Sequence, residues 1–167
     1  MRRFATLSAG TALLLVAACQ PSNKPQPLTG ADSTAIAKIA TDYAAAWNKG
    51  NVDGVVSLYA SDAVIQLADT TAFVGANAIR TYLNTALGTP TRPTLGITVT
   101  SLTGRQDLAV ELGTFTLTPP APAAPAPLAG KWLHALMKQA DGSWKITWHA
   151  ISFDAPMAAP APAKRGR

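Results

Sequence analysis

The stretch Tyr43-Ala-Ala-Ala-Trp47-Asn48-Lys49-Gly50-Asn51-Val52-Asp53-Gly54-Val55-Val56-Ser57-Leu58-Tyr59-Ala60-Ser61-Asp62-Ala63-Val64 carries one helix to its end, a second helix, and the entry to a strand. Ahead of it, Ile36, Ile39, Ala40, Tyr43 and Trp47 recur at steps of three and four, the spacing of one apolar helix face. Asp32 is suited to cap that helix, and Gly50 to end it. Asn51 is placed to cap a shorter helix through Val55, Val56, Leu58 and Tyr59. Ala63 to Leu67 then reads as a short strand.

Outward from this stretch, Asp69-Thr70 predicts a turn and Thr71 to Val74 a second strand. Gly75 opens a third helix with Ile79, Tyr82, Leu83 and Leu87 on its apolar face, closed by Gly88 and Pro90. From Leu95 the pattern changes to β. Leu95 to Leu102 alternates with Thr, Leu108 to Thr118 is a long strand, and Gly130 to Gln139 pairs with Ser143 to Phe153 around Asp141-Gly142. Pro119 to Pro127 cannot join a sheet, because proline lacks the donor, and reads as an extended spacer. Helices followed by a run of antiparallel strands make an α+β domain over 32–154.

The quoted stretch resembles the opening of the NTF2-like superfamily. Phe73-Val74-Gly75-Ala76-Asn77-Ala78-Ile79-Arg80 resembles its third helix, and Gly130-Lys131-Trp132 with Asp141-Gly142-Ser143-Trp144-Lys145-Ile146 its closing hairpin. The SnoaL-like and DUF4440-like branches are the most similar. The resemblance implies a cone: three helices packed on a curved, mostly antiparallel sheet around a pocket. It does not choose a function, because the superfamily holds isomerases, cyclases, dehydratases, epoxide hydrolases and non-catalytic binding domains. Matched to the ketosteroid isomerases, Tyr43 takes the place of their tyrosine, Leu67 that of their base, and His134 falls loosely near the second acid. Leucine cannot move a proton, so the resemblance does not support isomerase chemistry.

Two hairpin registers are open. A three-residue loop, Ala140-Asp141-Gly142, puts Trp132, His134 and Leu136 on one apolar face with Trp144, Ile146, Trp148 and Ala150, and turns His149 to solvent. A two-residue loop puts His134 opposite His149. Binary patterning favours the first. The expected pocket wall is then Tyr43, Trp47, Tyr59, Phe73, Trp132, His134 and Trp148. His134, Tyr43 and Asp62 are the candidate acid–base groups, with a hydrogen-bonded core histidine and a turn-forming Asp62 as the plainer readings. Two histidines without clustered acids or thiols make a poor metal site, and no phosphate loop or nucleophile motif calls for a cofactor. The expected function is binding of a small apolar molecule or a partner protein. The alternative is a SnoaL-like enzyme acting on a hydrophobic carbonyl compound through His134 and Tyr43. A homodimer formed through the sheet is a third role.

The ends say where the domain works. Arg2 and Arg3, an apolar run from Ala12 to Val16, and Ala17-Ala18 before Cys19 have the order of an export signal, and the run is too short to span a bilayer. Leu15-Val16-Ala17-Ala18-Cys19 resembles the lipobox of bacterial lipoproteins. That implies a signal over 1–19, lipidation of Cys19 and attachment to a membrane, and Gln20 leans towards the periplasmic side of the outer membrane. Cys19 is the only cysteine, so no internal disulfide competes for it. Residues 20–31 read as a tether, and 155–167 as a disordered Pro/Ala-rich basic tail. Of the net charge of +5, Arg2 and Arg3 leave with the signal, and Lys164, Arg165 and Arg167 sit in the tail. The folded part is left near neutral, without the basic stripe that nucleic acid would need.

Overall fold

The computed structural model describes residues 26–154 apart from 69, 90 and 122–125. The signal expected over 1–19 with Cys19, the expected tether as far as 25, the expected tail from 155, Asp69 of the expected turn, Pro90 and the middle of the proline run lie outside the described residues. Three helices, α1 (Gly30–Asn48), α2 (Val52–Val56) and α3 (Gly75–Leu87), alternate early with strands β1 (Tyr59–Leu67) and β2 (Phe73–Val74). Then come β3 (Thr94–Arg105), β4 (Leu108–Thr118), β5 (Leu128–Lys138) and β6 (Trp144–Phe153). The expected α+β class and helix order hold.

All six strands form one sheet in the order β2-β1-β6-β5-β4-β3. Only β1 and β6 run parallel; the other neighbours are antiparallel. The sheet wraps the helices, with α1 against β3 and α3 against β1. The apolar face of α1 is the one its spacing predicts: Ile36, Ile39, Ala40, Tyr43 and Trp47 are all buried. Ile36 is completely enclosed, and truncating such an isoleucine to alanine costs about 2–5 kcal/mol.

Local boundaries differ from expectation. Helix α1 begins at Gly30, inside the expected tether over 20–31, and β2 is Phe73–Val74, shorter than the expected Thr71 to Val74. The cap of α1 is Thr29, not Asp32; Asp32 is the third residue of a capping box, in which Thr29 Oγ1 accepts from the Asp32 N–H and Asp32 Oδ2 accepts from the Thr29 N–H. Helix α2 stops at Val56, and Tyr59 opens β1 instead of closing the helix. Tertiary pairing overrides local periodicity there: Tyr59 pairs with Ile146 of β6, and its hydroxyl is bonded to His149.

The closing hairpin uses both registers weighed from the sequence. At the tip, Gln139 N–H donates to Ser143, Gly142 adopts the left-handed φ of 83°, and Lys138 and Leu136 pair with Trp144 and Ile146, as the three-residue loop requires. Between Leu136 and Ala135 the register slips by one, and beyond it Ala135 pairs with Trp148 and His134 with His149. Thr147 is the extra residue, and its hydroxyl donates to Ala135 O at 3.1 Å. A one-residue slip exchanges the two faces of a strand. Trp144 and Ile146 therefore point inward before the bulge, and His149 after it. The expectations that Trp148 joins the inner wall and that His149 faces solvent are both corrected: Trp148 is 44% exposed and His149 only 4%. A second slip on β3, after Val99, carries Thr100, whose hydroxyl donates to Leu112 O.

Candidate functional site

The concave side of the sheet and helices α1 and α3 enclose a cavity of about 480 Å³, its open mouth included. Its walls are Trp47, Leu67, Tyr82, Leu95, Ile97, Phe115, Leu117, Trp132, Ile151 and Phe153; Tyr43, His134 and His149 supply polar atoms. The indole N–H groups are taken up by backbone carbonyls, Trp47 by Pro93 O and Trp132 by Thr114 O, each at 3.2 Å. Both rings thus turn apolar surface to the cavity. Trp132 fits because position 113 is glycine: a Cβ there would meet the Trp132 ring at 2.5 Å and Thr98 O at 2.2 Å.

The polar residues form a row across adjacent strands. Glu111 of β4 pairs with His134 of β5, and His134 with His149 of β6. Register alone brings together residues far apart in the chain. Glu111 Oε2 lies 3.6 Å from His134 Nδ1, beyond hydrogen-bond reach. The His134 and His149 rings meet edge to face at 4.4 Å, and Trp132 leans on His134 at the same distance. His149 Nδ1 shares a 2.7 Å hydrogen bond with the Tyr59 hydroxyl. Tyr43 touches both histidines, with ring centroids 6.1 Å from His134 and 5.6 Å from His149.

Glu111 and His134 are enclosed, yet among the described residues both carboxylate oxygens and both ring nitrogens lack a hydrogen-bond partner. Buried polar atoms left in this state are uncommon and call for an explanation. Burial, the dominant cause in each case, pushes the Glu111 carboxyl up to about 7 and the His134 imidazole down to about 3. Burial, with His134 beside it, also holds His149 well below its ordinary value. Near neutral pH the histidines are uncharged, so the Glu111–His134 contact is not an ion pair. Burial raises the hydroxyls of Tyr43, Tyr59 and Tyr82, which stay protonated. The site is thus an apolar cavity whose histidines and tyrosines are uncharged near neutral pH and able to hydrogen-bond. Among the described residues, no three His, Cys, Asp or Glu converge as a metal ion would need.

Of the residues singled out in the sequence, Tyr43, Trp47, Trp132 and His134 line the cavity. Tyr59 stands behind His149. Phe73 is not in the wall but stacks on Tyr82 at 4.7 Å. Trp148 faces outward past the bulge. Asp62 is exposed on the outer side of β1, because Ala63, Ile65 and Leu67 take the inward positions, and it does not reach the cavity. Leu67 lies in the wall. His149 and Glu111 are the residues the sequence reading missed. The signal for Glu111 was available: Ala109, Glu111, Gly113 and Phe115 hold the inward phase of β4, and a carboxylate there breaks the pattern.

A family model described as a SnoaL-like domain matches residues 40–149. No curated protein matches the chain. Solved structures do. A ketosteroid isomerase-like protein from Erwinia carotovora atroseptica is 22% identical, with a TM-score of 0.67 over 77% of this chain and 100% of that one. A domain of unknown function with a cystatin-like fold from Nostoc punctiforme is 21% identical, with a TM-score of 0.69 over 78% and 82%. An NTF2-like protein of unknown function from Shewanella oneidensis is 17% identical, with a TM-score of 0.62 over 72% and 98%. At these identities the likeness is one of fold, the NTF2-like cone.

Proposed function

The chain belongs to the SnoaL-like domain family, and from that membership we propose that its cavity binds a small, largely apolar molecule whose one polar group meets His134. The observation that carries this is the pair of unpartnered His134 nitrogens at a cavity otherwise walled by aromatic and aliphatic side chains. A ligand that supplies the missing partner gains hydrogen bonding and apolar burial together. Native mass spectrometry of the protein purified from its host tests this directly: a retained small-molecule mass is expected. A protein that always emerges empty and monomeric counts against the small-molecule form of the reading.

The lipobox-like run before Cys19 supports a place for the pocket. Lipidated at Cys19 and held on the periplasmic side of the outer membrane, the domain meets its ligand at a membrane surface. Labelled palmitate should enter the protein in a bacterial host and be lost in Cys19→Ser; an unlabelled parent protein would end that proposal. The outer face of the sheet supports self-association, since Val74, Val64, Trp148, Ala135 and Val110 fall in one register row across five strands. Trp148→Lys should abolish a dimer seen by light scattering, and a monomer at high concentration removes that role.

One observation favours a second, catalytic reading: Tyr43 stands against His134 and His149, groups of the kind that move protons beside a carbonyl. A hydrophobic ketone incubated in D2O would then exchange its α-protons in the presence of the protein and not of His134→Ala. Equal exchange with both proteins sinks this reading.

A further inference from the structure

We propose that Glu111 sets the tautomer of His134, and through it decides whether the floor of the cavity donates or accepts the hydrogen bond to the ligand's polar group. This deepens the ligand-site reading and rests on it for the ligand, but not for the tautomer. The ligand class that follows is a flat, mainly apolar molecule bearing a single hydrogen-bonding group.

Glu111 and His134 are direct cross-strand partners, and Oε2 faces Nδ1 at 3.6 Å, about 0.5 Å from hydrogen-bond length. Among the described residues no other group bonds either atom. Nδ1 is turned to Glu111, so Nε2 is the nitrogen left for the ligand. A neutral imidazole carries one N–H, and whichever nitrogen bonds outward fixes the role of the other. With Glu111 protonated, its O–H donates to Nδ1; the ring proton sits on Nε2, and the floor is a donor. With Glu111 ionised, Nδ1–H donates to the carboxylate; Nε2 keeps a free lone pair, and the floor is an acceptor. The two states differ by the one proton that Glu111 releases to solvent.

The surroundings favour a switch within the neutral range. His149 faces the pair from β6, Tyr43 from α1, and Tyr59 stands behind His149 on β1; Tyr82 reaches the cavity from α3. On β3 the partner of Glu111 is Leu102, which brings no charge. None of these groups supplies a cation to hold the carboxylate ionised, and burial alone pushes it up to about 7. A ligand with an acceptor, such as a ketone, then fits better below that pH, and one with a hydroxyl donor fits better above it.

The test uses the whole chain. With two histidines in the sequence, nitrogen-15 spectra of the labelled protein are assigned by a His149→Gln variant. The parent protein alone should show His134 passing from the Nε2–H to the Nδ1–H tautomer between about pH 6 and about pH 8. In Glu111→Gln, which keeps the shape but cannot ionise, the tautomer should not change. Quenching of tryptophan fluorescence by 2-acetylnaphthalene, 2-naphthol and naphthalene reads the consequence. The affinity ratio of ketone to naphthol should fall about fivefold or more across that range, and stay flat in Glu111→Gln. A single His134 tautomer in the parent protein, or the same switch in Glu111→Gln, overturns the inference. If none of the three probes binds while the spectra switch, the ligand-site reading fails and the tautomer control stands.

Discussion

Two buried carboxylates in this domain have opposite surroundings. Asp32 Oδ1 accepts from Lys138 Nζ at 2.7 Å and from Trp144 Nε1 at 3.0 Å, while Oδ2 accepts from the Thr29 N–H and hydroxyl. Those bonds, led by Lys138, hold its carboxyl well below the ordinary range. Glu111 accepts from no group among the described residues, and its carboxyl is pushed the other way. Asp32 fastens the start of α1 to the tip of the β5–β6 hairpin, which is structural work. Glu111 makes no fold contact of that kind; its carboxylate faces His134, which in turn lines the cavity. A satisfied buried charge marks architecture; an unsatisfied one marks a site.

Removing Asp32 should have the largest effect on stability. Asp32→Ala strips the capping box and leaves Lys138 and the Trp144 N–H without their partner. A fall of about ten degrees in Tm is expected in a thermal scan at neutral pH. A depressed carboxyl contributes stability that is present above its ordinary value, 3.8, and lost as pH falls further. The gap between parent and Asp32→Ala should therefore narrow in strong acid. A gap that is constant with pH would show that the contribution is not electrostatic.

Glu111→Gln should act with the opposite sign and a smaller size. A carboxyl raised from 4.5 to about 7 contributes stability that is full below 4.5 and lost as pH rises through about 7. The amide escapes that loss. Near pH 5 the two proteins should melt together; near pH 8 the variant should be the more stable, by about 1–3 kcal/mol. His134 works in the reverse direction: lowered from 6.5 to about 3, it contributes stability that is full above 6.5 and lost as pH falls. The parent should therefore be most stable near neutral pH, where the histidine contribution is complete and the cost of ionising Glu111 is not. Denaturant melts at several pH values read both limbs, and a variant less stable than the parent near pH 8 would contradict an unpaired Glu111.

Much of the fold was legible in the residues, and the remainder depended on register. The helix face through Ile36 and Trp47, the third helix, the long strands and the Asp141-Gly142 turn are local patterns, and each stands where its spacing puts it. Tyr43, Trp47, Trp132 and His134 were found as wall residues because aromatic side chains on a core-facing phase have few other places to go. His149 and Trp148 were misplaced because a bulge is invisible to periodicity: patterning favours a single register, and the chain uses a different one on each side of Thr147. Tyr59 was misplaced because its pairing with Ile146 overrides the helical period. Glu111 was overlooked for a different reason. A lone acid in an apolar strand resembles a solvent-facing residue until the phase of that strand is fixed by its neighbours.

The bulge also joins the two carboxylates, and Thr147 gives the smallest predicted effect. Before Thr147 the register aims Trp144 at Asp32; after it, the register aims His149 at His134. The Thr147 hydroxyl donates to Ala135 O, the carbonyl beside the slip, and Thr147→Val removes that bond while keeping the shape. A loss of about 1 kcal/mol is expected. The pH dependence of stability separates two outcomes. If the bulge holds without the hydroxyl, the histidine limb of the profile is unchanged. If the register instead runs straight from the tip, Trp148 turns inward and His149 outward. The acid-side loss from His149 then disappears, and the Trp148 fluorescence shifts to that of a buried indole. The first outcome is expected, because the Tyr59–His149 bond and the pairing of His134 with His149 hold the second register from the cavity side.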